Sequence, residues 1–108
     1  MLREGILIMA NTKIEFLVKA PAEELYLVGN IAQLGEWNVA KAIKLNFCEE
    51  CGKFTVTKML PLGENIEFKV LAAKNWEAVE KGIWKEDLPN HAFVATKGTK
   101  VEIEISNF

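Results

Sequence analysis

The run Val101-Glu102-Ile103-Glu104-Ile105 decides how the rest of the chain is read. Its β-branched residues fall on alternate positions and its glutamates on the others. Successive side chains of a strand point to opposite faces, so this run buries Val101, Ile103 and Ile105 and leaves Glu102 and Glu104 in water. The same period recurs upstream. Ile14, Phe16 and Val18 alternate with Lys13, Glu15, Leu17 and Lys19 as far as Pro21. Phe54, Val56, Lys58 and Leu60 share one side of a run that ends at Pro61, with Thr55, Thr57 and Met59 on the other. Ile66-Glu67-Phe68-Lys69-Val70 follows the turn residues Gly63-Glu64-Asn65. Leu25-Tyr26-Leu27-Val28 stops at Gly29-Asn30, Ala42 to Leu45 is a short apolar piece, and Phe93-Val94-Ala95 precedes the Lys97-Gly98 turn. Helical periodicity is scarce. About seven short strands, with turn signals every ~8–12 residues, predict an all-β antiparallel sandwich.

Two segments carry no period: Gly29 to Lys41, and Ala73 to Asn90. Between them they hold all three tryptophans, Trp37, Trp76 and Trp84. An indole in a loop either plugs the end of a sandwich or meets a ligand, because its large apolar area and its N–H both need partners. Loops on a rigid scaffold are where binding residues concentrate. An exposed indole face suits a pyranose ring, whose axial C–H groups lie on the aromatic face while its hydroxyls need donors and acceptors alongside. Lys69, Asn90 and the amides near Gly29 are candidates for those.

The chain of 108 residues has the size of one domain, with half of its residues hydrophobic and 26% charged. The expected division is an N-terminal extension over residues 1–12 and a single sandwich over 13–108. Thirteen Lys and Arg against fifteen Asp and Glu give a net charge of −2 without a basic cluster. Nucleic acid is therefore not an expected partner, since phosphate binding rests on a clustered basic footprint. The apolar run Ile6–Ala10 is too short for a signal peptide core of ~7–15 residues. No stretch approaches the ~18–20 residues that cross a bilayer, so no membrane partner is expected. The chain reads as cytoplasmic, or as a module of a larger protein.

Cys48-Glu49-Glu50-Cys51 is half of a zinc site without its other half, because the chain has no further cysteine and a single histidine, His91. It reads as a surface turn with two reduced thiols; a small hairpin disulfide or an intermolecular metal contact is the alternative. His91 reads as a satisfied loop or edge residue. No Ser/His/Asp, Cys/His or paired-acid constellation and no Gly-rich phosphate loop emerges, so no catalytic residue, metal or cofactor is expected.

Three blocks now carry a resemblance. Leu25-Tyr26-Leu27-Val28-Gly29-Asn30, followed by Leu34-Gly35-Glu36-Trp37 and Ala40-Lys41-Ala42-Ile43, resembles the front half of a family 20 starch-binding domain, as found on glucoamylases and cyclodextrin glucanotransferases. Leu60-Pro61-Leu62-Gly63 with Ile66-Glu67-Phe68-Lys69 resembles that family's middle block. Trp84 followed by Asn90-His91-Ala92-Phe93 resembles its ending. The similarity runs in order from about Lys13 to Ile105. It implies an immunoglobulin-like antiparallel sandwich and non-catalytic binding of α-1,4-glucans such as starch, glycogen, maltooligosaccharides and cyclodextrins. It also implies a glycan-active enzyme as an associate. The family's first site stacks glucose on two tryptophans and bonds its hydroxyls through a lysine and an asparagine; these fall on Trp37, Trp84, Lys69 and Asn90. Trp84 is preferred to Trp76 because Asn90 follows it, and the longer loop brings in Trp76 as a candidate third wall. Lys85 stands where the family has a glutamate, and the residues of its second site are not matched. The rival reading is an immunoglobulin-like protein-interaction or dimerisation module that uses the same tryptophans.

Overall fold

The computed structural model describes residues 10–108, so most of the expected extension over 1–12 lies outside the described residues. Strand β1, Asn11–Lys19, buries Thr12, Ile14, Phe16 and Val18 on one side. Then come β2 (Tyr26–Gly29), β3 (Ile43–Lys44), β4 (Asn46–Cys48), β5 (Lys53–Pro61), β6 (Asn65–Leu71), β7 (His91–Val94) and β8 (Lys100–Glu104). They form two four-stranded sheets, ordered β4-β5-β1-β8 and β3-β2-β6-β7. The all-β sandwich expected from the alternating runs is present. The piece Ala42–Leu45 holds β3, and a further short strand just beyond it, β4, pairs with the other sheet, which raises the count among the described residues to eight.

One pairing departs from the antiparallel expectation. β8 lies parallel to β1, with Phe16 opposite Val101 and Val18 opposite Ile103. β8 reaches β1 from the other sheet by way of residues 95–99 and not through a hairpin, so nothing forces the direction to reverse. Side-chain alternation reports which face a residue takes and says nothing about a neighbour's direction.

The core lies between the sheets. Phe16 meets Phe68 edge-on, with ring centroids 5.4 Å apart, and Phe93 joins both. Ile14, Leu27, Leu60, Ile66 and Val70 close around them, all fully buried. Outside the second sheet lies a smaller apolar patch of Val28, Ala42 and Leu71, with Tyr26, Trp37, Val39 and Val79 against it.

Cys48 and Cys51 form a disulfide across the β4–β5 turn, in place of the two reduced thiols expected. Pairing of Cys48 with Lys53 and a bond from Gly52 N–H to the Cys48 carbonyl (2.8 Å) fold the hairpin tightly. The two Cα atoms are thereby held 5.5 Å apart, within disulfide reach. Among the described residues no helix is long and apolar enough to cross a membrane.

Candidate functional site

The outer face of the sheet β3-β2-β6-β7 gathers most of the candidates. On β6 the alternation that buries Ile66, Phe68 and Val70 turns Glu67, Lys69 and Leu71 outward. Val28 stands opposite Lys69 in the β2–β6 register, so the lysine borders the outer apolar patch.

Trp37 reaches that patch through a forced turn. After β2 the chain makes one 3₁₀ turn, Ala32–Leu34, and Leu34 is fully buried as its anchor. Gly35, Glu36 and Trp37 then take φ of 87°, 49° and 63°. Only glycine enters this left-handed region without strain. At Gly35 a side chain is doubly excluded, since a Cβ there would sit 2.9 Å from the Lys41 carbonyl. The turn holds because Glu36 N–H donates to the Ile31 carbonyl (3.1 Å) and Trp37 N–H to the Gly29 carbonyl (2.9 Å). Asn30 ties the same turn to β6, its Oδ1 accepting from Glu67 N–H at 3.0 Å. The result swings the Trp37 ring onto Val28, Ala42 and Leu71 with part of its surface left in water.

Trp76 arrives on the next loop, at the start of a 3₁₀ turn whose Ala78 N–H is capped by Asn75 Oδ1 (3.0 Å). Its ring centroid lies 6.4 Å from that of Trp37, the planes tilted by 38°, and the residue is 44% exposed. Two half-open indoles thus form one shallow, angled wall.

Trp84 stands apart. Beyond the loop, Leu71 at the end of β6 and Ala72 after it pair with Val79 and Ala78, but the chain then leaves the sheet over 81–90 and regains β6 where His91 faces Phe68. This excursion is a braced finger. Gly82 N–H donates to the Glu86 carbonyl, Trp84 N–H to Glu86 Oε1, and Asn107 Nδ2 to the Gly82 and Ile83 carbonyls. Lys81 Nζ bonds Asp87, and this bond together with the ammonium charge holds the Asp87 carboxyl below the usual carboxylate range. The bracing presents Ile83 and Trp84 to solvent at 67% and 84% exposure, with Lys85 in the left-handed region at φ 63°. Among the described residues the non-glycine positions with positive φ are Glu36, Trp37 and Lys85. Backbone strain is therefore confined to the two tryptophan turns, where such strain commonly serves function.

Lys69 and Asn90 lie between these features. Lys69 Nζ donates to the Leu88 carbonyl on the finger's return leg, and Asn90 Nδ2 donates to Glu67 Oε1 at 3.1 Å. An ammonium and an amide each retain donors beyond those single bonds. The structure thus joins Trp37, Trp76, Lys69 and, through Glu67, Asn90 on one face. No aromatic contact among the described residues joins Trp84 to the other two indoles; its finger reaches the face through Leu88 and Lys69. Glu67 was missed as an element of the site. Its signal was its place two residues before Lys69 on an alternating strand, which puts both on one side.

Compared with known proteins, residues 11–104 match the starch binding domain family. The chain belongs to that family. A starch binding domain is a carbohydrate-binding module, and this match does not support the rival protein-interaction reading. The domain is 30% identical over 82 residues to a glucan 1,4-alpha-maltotetraohydrolase of Roseateles saccharophilus, covering 76% of this chain and 15% of that protein. It is 34% identical over 74 residues to glucoamylase-1 of Arthroderma benhamiae, covering 66% of this chain and 11% of that protein. The chain therefore spans well under a fifth of these curated relatives, and their catalytic parts lie outside the matched region. In fold it resembles the family 20 carbohydrate-binding module of a maltotetraose-forming amylase from Pseudomonas saccharophila STB07. The TM-score is 0.66 at 24% identity, with 86% of this chain and 99% of that chain covered. A glucoamylase from Hypocrea jecorina gives a TM-score of 0.71 at 18% identity, over 91% of this chain and 18% of that chain.

Proposed function

We propose that the domain binds an α-1,4-glucan across the outer face of the β3-β2-β6-β7 sheet and catalyses nothing itself. The observation that carries this is the angled Trp37–Trp76 wall, 6.4 Å between centroids, standing beside Lys69 and Asn90. Sugar rings lose little on stacking, because their C–H faces are apolar and their hydroxyls stay at the rim. Trp37 is the platform and Trp76 the second wall. Trp84 is the far wall on its finger, and Lys69 and Asn90 bond hydroxyls and so select orientation. Aromatic centres with polar rims divide affinity from specificity in this way in shallow sites. The affinity expected of so small a surface is micromolar to millimolar, about −4 to −8 kcal/mol.

Glycoside hydrolysis needs two carboxyl groups flanking one bond at about 5–10 Å, one of them commonly raised in pKa. Glu67 is bonded to Asn90 and Glu86 to the Trp84 amide, so both serve as braces. Because the relatives join such a domain to far longer chains, a glycan-active enzyme, on the same chain or beside it, is the proposed associate. The test is retention on glycogen or amylose by wild type and by Trp37→Ala. Wild type is retained and the variant is not; a folded wild-type domain that passes through unretained refutes the function.

A further inference from the structure

Glu80 is fully buried, although Glu is almost never so unless paired. It sits where the finger leaves the sheet. Glu80 N–H donates to the Val70 carbonyl at 2.9 Å, as in an ordinary antiparallel ladder. The reciprocal bond is unusual: Val70 N–H donates at 2.7 Å to Glu80 Oε2, a side-chain oxygen, in place of the Glu80 carbonyl. The carboxylate thus stands in for its own backbone, which frees the chain to turn outward into residues 81–90 without orphaning a buried amide. The second oxygen, Oε1, lies 2.7 Å from His91 Nε2, and His91 is the residue at which the chain rejoins β6. The His91 ring is held in turn against Phe68, with centroids 5.0 Å apart and planes 28° from parallel.

One side chain therefore ties three points: β6, the departing leg and the returning leg. An apolar pair would fill the same volume, and a buried polar pair is weak evidence for stability as such. Its best-attested use is to fix register, which is what an edge strand interrupted by a long excursion lacks. Asn90 adjoins His91, Leu88 holds Lys69, and Trp84 rides on the finger itself. Movement at the neck displaces Asn90, Leu88 and Trp84 relative to Trp37 and Lys69.

From this geometry we infer that the Glu80–His91 pair is a clamp at the neck of the 81–90 finger, which positions Trp84 and Asn90 for glucan binding. The inference rests on the proposed glucan site, and its test separates the two. His91→Phe keeps the ring stack on Phe68 and removes the bond to Glu80; His91→Gln keeps a group able to reach the same oxygen. Calorimetric titration with β-cyclodextrin is paired with amide hydrogen exchange on peptides covering 81–90. For His91→Phe, affinity falls about fivefold or more, since a loosened support shell degrades a site before it abolishes the fold. Exchange in 81–90 accelerates while β1 and β5 exchange as in wild type. His91→Gln stays within about twofold of wild-type affinity. Wild-type binding and finger exchange in His91→Phe, or equal impairment in His91→Gln, overturns the clamp. Should His91→Phe not fold, His91→Asn, too short to reach Glu80, takes its place with the same expected outcomes. If the wild-type domain fails to bind β-cyclodextrin, the glucan reading falls, while the exchange comparison still decides the clamp.

Discussion

Trp84→Ala separates a binding residue from a packing residue more sharply than any other change in this domain. The side chain is 84% exposed, so the fold has little to lose. A tryptophan offers about 250 Å² to bury, of which roughly 40 Å² is covered here; at ~25 cal/mol per Å² the folded state loses about 1 kcal/mol at most. For a domain of this size that lowers Tm by about 4 °C. Binding should respond differently. A large aromatic that packs on a ligand typically contributes about 1–3 kcal/mol, so the β-cyclodextrin Kd rises about fivefold or more. Calorimetric titration beside thermal unfolding monitored by circular dichroism reads both quantities on one preparation. Affinity within about twofold of wild type would show that the finger's tryptophan does not touch sugar. A stability loss above about 3 kcal/mol would show that the ring packs where the structure leaves it bare.

Trp37→Ala behaves in the opposite proportion: its ring covers Val28, Ala42 and Leu71, so urea unfolding shows a loss of about 2–3 kcal/mol together with weakened binding. Unchanged stability there would mean the ring does not seal the patch. Gly29→Ala sets a Cβ 2.6 Å from the Glu67 carbonyl and 2.8 Å from Leu34 Cδ1. It destabilises by about 2–3 kcal/mol on the same urea scale, and an unshifted midpoint would refute the close approach of turn and strand. The Lys81–Asp87 bond gives the finger an acid limit. Asp87 titrates below its ordinary range, so the bond contributes fully above that range and is lost as pH falls through the lowered value. Limited proteolysis within 81–90 therefore increases only below about pH 4. Asp87→Asn cleaves as readily at neutral pH; if it does not, the bond does not brace the finger.

Much of the fold was legible because strands announce themselves locally. Ile14, Phe16 and Val18, or Ile66, Phe68 and Val70, share a face by chain geometry alone, whatever their neighbours do. The parallel approach of β8 to β1 was not legible, because alternation is blind to strand direction. Nor was the Cys48–Cys51 bond, which depends on how tightly the hairpin closes. The site was legible in part. Lys69 and Glu67 face outward by the same period that buries Phe68, and Leu34-Gly35-Glu36-Trp37 marks a turn that carries an indole. The pairing of Trp76 with Trp37 was open, since two aperiodic loops can lie in many ways.

The sequence by itself determined that the chain is a small β-sandwich with its tryptophans in loops, and the ordered blocks around Trp37, Lys69 and Asn90 pointed to glucan. The tertiary structure alone decided which indole meets which and how the finger is held. Those outcomes rest on contacts between different strands and turns, such as Gly29 with Trp37, Lys69 with Leu88 and Glu80 with both Val70 and His91. A buried carboxylate reads in sequence as one more charge among fifteen acidic residues. Only the interrupted strand edge, where a backbone amide needs an acceptor that the departing chain no longer supplies, gives Glu80 its place.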